Sequence, residues 1–316
     1  MWLDEALTEL GNAEPALEAA GRYWDGRLAI AQGRFAEADP SLWAALDAAR
    51  AAGDGAMEAA VLTAIGRCAT LVGSDRAAEL CGDAVAAAQA SRDPKVFGDA
   101  LMSMAGACER GSAWPEAAGW AAKALEIYRA IPDPYGVATA LAELGWYDIV
   151  NGTLARAEAY LAEALELRRR HGDDRRLVEP LVDGAWLALT RGLGGEARAR
   201  FLDCLSLALH VDDMFNAGEA LAGLAALAGR EGRWVDCARL AGASAAVHDA
   251  MGAPPWESVS ALLGRETAAA RRVLGDGYED AFAEGRKLPS DGFVRTAMAW
   301  AEPIVPVTAG GLPDLR

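Results

Sequence analysis

The chain has 316 residues, 53% of them hydrophobic and 24% charged, which is enough apolar surface for a sizeable core. Thirty basic against 46 acidic side chains leave a formal charge of −16 at pH 7, a balance that repels a phosphate backbone and argues against nucleic-acid binding by this chain alone. No apolar run approaches the roughly 18 residues of a membrane span, and Asp4 and Glu5 stand where a secretory signal needs positive charge, so the expected compartment is the cytoplasm, with no membrane partner.

The first 20 residues, with Trp2, Leu3, Leu7, Leu10 and Leu17, read as a partial N-terminal helical unit, half a hairpin whose partner lies upstream or in a second copy. A homodimer is therefore one expectation. From residue 21 to residue 253 the chain repeats. Gly33, Gly73, Gly111, Gly152, Gly192 and Gly232 follow one another at intervals of 40, 38, 41, 40 and 40 residues, and Asp54, Asp93, Asp133, Asp173 and Asp212 at 39, 40, 40 and 39. Two marks in step over so many periods indicate stacked supersecondary units, about six of them.

Within a period the pattern is helix, short turn, helix. Ala157, Tyr160, Leu161, Ala164 and Leu165 recur at three and four residues, which puts one apolar stripe on a helix. The aspartates fall just before a helix, where a carboxylate accepts from free backbone N–H groups, and Pro94 and Pro134 take the first helical position after Asp93 and Asp133. His171, His210 and His248 fall in last helical turns, where a cation meets the carbonyl end. Cys68, Cys81, Cys108, Cys204 and Cys237 are odd in number, dispersed and never in a C-x-x-C spacing, so they read as small buried helix residues rather than as disulfides or metal ligands. Residues 254–300 depart from the repeat and read as a divergent helical cap, and 301–316 as a flexible tail.

Gly33-Arg34-Phe35-Ala36-Glu37-Ala38 and Gly232-Arg233-Trp234-Val235-Asp236-Cys237-Ala238 share the order Gly, x, aromatic, x, acidic, small, and Leu144-Gly145 precedes Gly152 where two helices must approach. These residues resemble the tetratricopeptide repeat, with a period longer than the ordinary 34 residues or so. The resemblance implies an all-α, right-handed α-solenoid of stacked helical hairpins (TPR-like). Trp2-Leu3-Asp4-Glu5-Ala6-Leu7 at one end, and Arg239 to Ser244, Met251-Gly252-Ala253-Pro254, Leu274-Gly275-Asp276 and Ala281 to Arg286 at the other, look like the limits of the sensor region of actinobacterial LuxR-type and STAND ATPase regulators. The phosphate loop of that family, G-x-x-x-x-G-K-[ST], does not occur, and neither do the DNA-reading helices, so neither ATP hydrolysis nor a nucleotide cofactor is expected.

What the resemblance implies about function is a non-catalytic binding or sensor module whose ligand, a small metabolite, a peptide or a partner protein, lies on the concave surface lined by the first helix of each pair. Six residues before each turn glycine stand Arg27, Arg67, Ala105, Trp146, Trp186 and Ala226, and neighbouring turns add Tyr23, Met102, Glu179 and Glu219. Two arginines at one end and two tryptophans further along suit an anionic or aromatic small molecule. Trp146 and Trp186 read equally well as core packers, Arg27 and Arg67 as partners of nearby carboxylates, and Asp25, Asp148 and Asp183 as residues of a solvated helix face. No catalytic residue, metal-ligand set or cofactor is assigned. The alternative is a free-standing relative from a natural-product biosynthesis or resistance pathway that binds, sequesters or transforms a small molecule in the same groove.

Overall fold

The computed structural model describes residues 15–172, 175–287 and Ala299, and among these the chain forms helices and turns with no strand. The helices pair in chain order as α1 (Pro15–Ala31) with α2 (Phe35–Ala52), α3 (Gly55–Leu71) with α4 (Ala77–Ser91), α5 (Pro94–Arg110) with α6 (Trp114–Ala130), and α7 (Pro134–Val150) with α8 (Leu154–His171). After a 3-10 turn (Arg175–Leu177) come α9 (Val178–Thr190) with α10 (Gly194–His210), α11 (Met214–Arg230) with α12 (Trp234–Met251), and then α13 (Glu257–Leu274) and α14 (Gly277–Arg286). This is an all-α solenoid of stacked hairpins. Residues 15–20 belong to α1 and so to the first hairpin, not to a separate unit; residues 1–14, Asp173, Asp174 and the tail from 301 onward lie outside the described residues.

Helix ends follow the turn chemistry, with two shifts from the sequence marks. Gly33, Gly73, Gly152, Gly192 and Gly232 adopt φ between 69° and 78°, the left-handed region that stops a helix cheaply only at glycine. In the third hairpin the left-handed residue is Ser112, at φ 58°, while Gly111 has φ −84°. Asp54, Asp93 and Asp133 cap their helices by accepting from Met57, from Lys95 and Val96, and from Tyr135. In the sixth hairpin the cap is Asp213, bonded to the Asn216 N–H, and Asp212 instead occupies the left-handed turn at φ 56°.

Small residues set how closely the helices stack. Ala77, Ala117, Ala157, Ala197 and Cys237, one period apart, are all buried in the second helices, as are Ala84, Ala124, Ala164, Cys204 and Ser244. The five cysteines are free, and burial pushes the Cys68 and Cys81 thiols up to about 11, keeping them protonated. The tightest approach joins α12 to α14. A Cβ on Gly242 would overlap the Phe282 carbonyl, and one on Gly285 would overlap the Arg239 carbonyl. Gly242→Ala is therefore expected to pry α14 from α12 at a cost of about 1–3 kcal/mol. Gly119→Ala, on α6 with open space around it, should be neutral or stabilising by up to about 1 kcal/mol. Urea denaturation of both variants checks the pair, and equal stabilities would contradict the packing described.

Candidate functional site

Cumulative rotation of the hairpins curls the stack until its sixth unit meets its first. Arg110, last residue of α5, donates to the carbonyls of Pro255 (2.6 Å) and Pro254 (3.3 Å), stacks its guanidinium 4.3 Å from the Trp256 ring, and reaches back to Thr70 O (3.2 Å). Met251 and Pro254 lie against Gly33 and Gly73, where an added Cβ would come within 2.7 Å of the Met251 methyl and 3.0 Å of Pro254 Cγ. Arg175 donates to Ala31 O, at the end of α1, and to Val211 O. The first helices of the pairs consequently face a lumen bounded on one side by the 252–256 segment.

On the α1–α3 side the lumen is basic. Arg27 donates to the Tyr23 hydroxyl (2.7 Å) and lies over the Tyr23 and Trp24 rings. Arg67 makes no hydrogen bond or ion pair among the described residues, and the charges acting on it come from Arg27, Glu179, Arg176 and Glu143. Two of those are carboxylates of α7 and α9, so Arg67 points across the lumen rather than outward. Arg67 is solvent-exposed at its own surface while protein crowds it at longer range. Burial, and then the charge of Arg27, lower its pKa from the ordinary arginine value.

The opposite wall is acidic and aromatic. A cavity of about 50 Å³, room for a few water molecules, opens between α5, α7, α9, α11 and the start of α13. Its carboxylates are Glu109, Glu143, Glu179, Asp183 and Glu219, and its rings are Trp146, Trp186 and Trp256. Glu109 accepts from Trp146 Nε1 (2.9 Å) and Ser258 Oγ (2.9 Å), yet burial carries its pKa up to about 7. Burial carries Glu219 up to about 8 against the opposing bond from the Trp256 N–H, and pushes Glu143 and Asp183 well above the carboxylate range, with neighbouring carboxylates adding to the shift. Glu179 is held by Arg168 (3.1 Å). Asp183, 8% exposed, has no hydrogen-bond or ion-pair partner among the described residues. Glu219 Oε1 and Trp186 Nε1 are buried without a partner.

The residues read from the sequence divide between the two walls. Tyr23, Arg27 and Arg67 lie together on one, and Trp146, Glu179, Trp186 and Glu219 line the cavity on the other, while Met102 is half-buried against the core. Trp146 and Trp186 touch edge to face at 6.4 Å, and Trp186, 1% exposed, packs on Phe201, so the pair forms a core wedge with only an edge on the cavity. Asp148 and Asp183 are buried, not solvated: Asp148 holds Arg156 through both oxygens, at 2.5 and 2.6 Å. His248 is no cation at a helix end. Its Nδ1 lies 3.1 Å from Ala253 O, and burial lowers its pKa to about 4, which keeps the ring neutral. Glu109, Glu143, Trp256 and Ser258 were not singled out in the sequence; the one local signal was Pro254-Pro255-Trp256, a stiff extended step before α13.

A curled stack of helical hairpins with its chemistry on the inner helices is a TPR-like repeat architecture. No family model matches the chain, and no curated protein matches it. Among solved structures it is similar to a Rap protein complexed with competence and sporulation factor, at a TM-score of 0.65 and 16% identity over 90% of this chain and 81% of that one. It also matches BtubC (BKLC) from P. vanneervenii at 18% identity over 79% of this chain and 92% of that one, with a TM-score of 0.44, too weak a superposition for any conclusion. At 16% identity the Rap likeness establishes the helical-repeat fold alone. Among the described residues no helix is long and apolar enough to cross a membrane.

The buried acids make stability fall with alkalinity. Glu109 and Glu219 titrate near 7 and 8 in the fold against an ordinary 4.5, so their favourable contribution is complete below about 4.5 and is lost as pH rises through 7 and 8. His248 has the opposite sign, contributing above its ordinary 6.5 and losing that contribution as pH falls toward 4. The slopes oppose one another between about 4.5 and 6.5, with Arg110 acting on all three groups, and the acids dominate above that window. Urea unfolding should therefore show declining stability from about pH 6.5 to about 8.5, and Glu219→Gln should recover about 1–2 kcal/mol at the alkaline end. A wild type that grows steadily more stable over that range would overturn this assignment.

Proposed function

We propose that this chain is a non-catalytic binding module, the sensor region of a bacterial regulator, and that it takes a small anion-bearing ligand or a short peptide in its lumen. The observation that carries this reading is Arg67. A guanidinium with five donors, no protein partner among the described residues and a second arginine acting on it carries a like-charge repulsion that a carboxylate or phosphate would relieve. The Arg27 guanidinium, fixed over two rings and bonded to Tyr23, is already oriented for such a group. Support by fold analogy comes from the Rap structure, in which a solenoid of similar architecture is complexed with competence and sporulation factor. The alternative of a natural-product pathway draws less support, because the two tryptophans that would wall an aromatic molecule are packed on each other.

Thermal-shift titration with inorganic phosphate and with short peptides carrying either a free or an amidated C-terminus tests the anion site. Free carboxylates should stabilise the protein more than their amides. Arg67→Ala should leave the melting temperature of the unliganded protein nearly unchanged while weakening the anion by about 1.5–3 kcal/mol, the usual worth of a hydrogen bond to a charged group. Identical ligand responses in wild type and Arg67→Ala would sink the site.

A further inference from the structure

We propose that the acidic, tryptophan-lined cavity is a subsite for an organic cation, an alkylammonium or guanidinium group, that forms the second pole of the ligand anchored at Arg67. The inference rests on the lumen being the binding surface and adds what its far wall recognises. Five carboxylates line a space of about 50 Å³, and no basic side chain lines it with them. Arg168 neutralises one lining carboxylate, Glu179, and also holds the Arg176 carbonyl, while Arg110 makes its hydrogen bonds to the carbonyls of Thr70, Pro254 and Pro255, which leaves the other four carboxylates without an ion pair to arginine or lysine among the described residues. His248, whose Nε2 lies 3.6 Å from Glu219 Oε1, is a neutral ring with that nitrogen unpartnered.

Independently of the acidic composition, one nine-tenths-buried side chain of the lining lacks a partner: Asp183, 8% exposed, makes no hydrogen bond or ion pair among the described residues. An unsatisfied buried polar group is costly, more so if ionised, and burial biases Asp183, Glu143 and Glu219 toward the protonated form. A cation bearing several N–H donors would replace those protons and satisfy the oxygens together. The metal alternative is disfavoured, because no group of three or more potential ligands among the described residues converges closely enough to hold an ion. Ammonium and guanidinium bonds are longer, about 2.7–2.9 Å, and tolerate the wider spread of oxygens. The tryptophan rings add apolar walls suited to the alkyl part of a weakly hydrated cation. The volume admits a head group and no more, so the rest of the molecule must lie in the lumen, toward Arg67.

Calorimetry on the full chain with methylguanidinium and n-butylammonium, against the neutral methylurea and n-butanol, is the direct test. The cations should bind and the neutral isosteres should not, and Asp183→Asn should weaken the cations by roughly tenfold or more, the loss of one charge-assisted bond. Arg67→Ala, which removes a positive charge acting on Glu143 and Glu179, should not weaken cation binding. If Asp183→Asn does not fold, Glu143→Gln on the facing helix serves in its place. Peptides with a free or acetylated N-terminus, and with lysine or norleucine inside, identify whether a terminal amine or a side chain supplies the group. No heat with either cation, or equal heats in wild type and both carboxylate variants, overturns the subsite while leaving the anion site standing. Cation binding without any response to free carboxylates would instead refute the anion site and leave the subsite in place.

Discussion

Most helices of the stack stop where a residue enters the left-handed region, and that recurring stop is the constraint on which the rest of the molecule depends. Gly33, Gly73, Gly152, Gly192 and Gly232 end the inner helices, and Gly53, Arg92, Gly172, Asp212 and Gly252 end the outer ones. Because the stops recur at a near-constant separation, the inner helices have similar lengths and residues one period apart come to lie side by side. A drift of a few residues in any one of them would rotate the following helices and scatter Arg27 from Arg67, or Glu143 from Glu179. Glycine is not indispensable to the stop: Ser112 after α5 and Asp212 after α10 take up the left-handed turn where no glycine stands at that position, and the register survives.

The charge pattern follows from this register. The inner helices α1 and α3 present arginine, and α5 to α11 present glutamate and aspartate, so the lumen has a positive and a negative wall rather than a uniform potential. Low polarisability around the negative wall, made of tryptophan and the edge of the core, is what drives its carboxylates toward neutrality. Exposure to water keeps Arg67 charged. The two walls thus respond to solvent in opposite ways, one by retaining charge and the other by taking up protons.

The helical-hairpin repeat and the caps at Asp54, Asp93 and Asp133 could be read from the sequence because each is a local matter of turn chemistry and apolar spacing. The in-phase placement of Arg27 and Arg67 could be read for the same reason. The cavity could not. Counting six residues back from the turns lands on Ala105 and Ala226, whereas Glu109 sits two residues before Gly111 and Glu219 thirteen before Gly232, so no single phase collects the carboxylates. Their convergence depends on the curvature of the whole stack, a sum of small interhelix rotations set by which alanines and glycines face one another. The 254–259 segment shows the same limit, since Trp256 and Ser258 reach Arg110 and Glu109 only through contacts nearly half the chain away.

The Arg110 clamp has a mechanical meaning. A solenoid with free ends behaves as a spring, stretching and twisting at low energetic cost because each unit touches only its neighbours. Tying Pro254 and Pro255 to the end of α5 turns part of that spring into a hoop, in which a small change of pitch between any two hairpins must be taken up at the joint. An occupant wedged between the two walls would strain the hoop as a whole, so the stiffness of the lumen and the position of α13 and α14 become one variable.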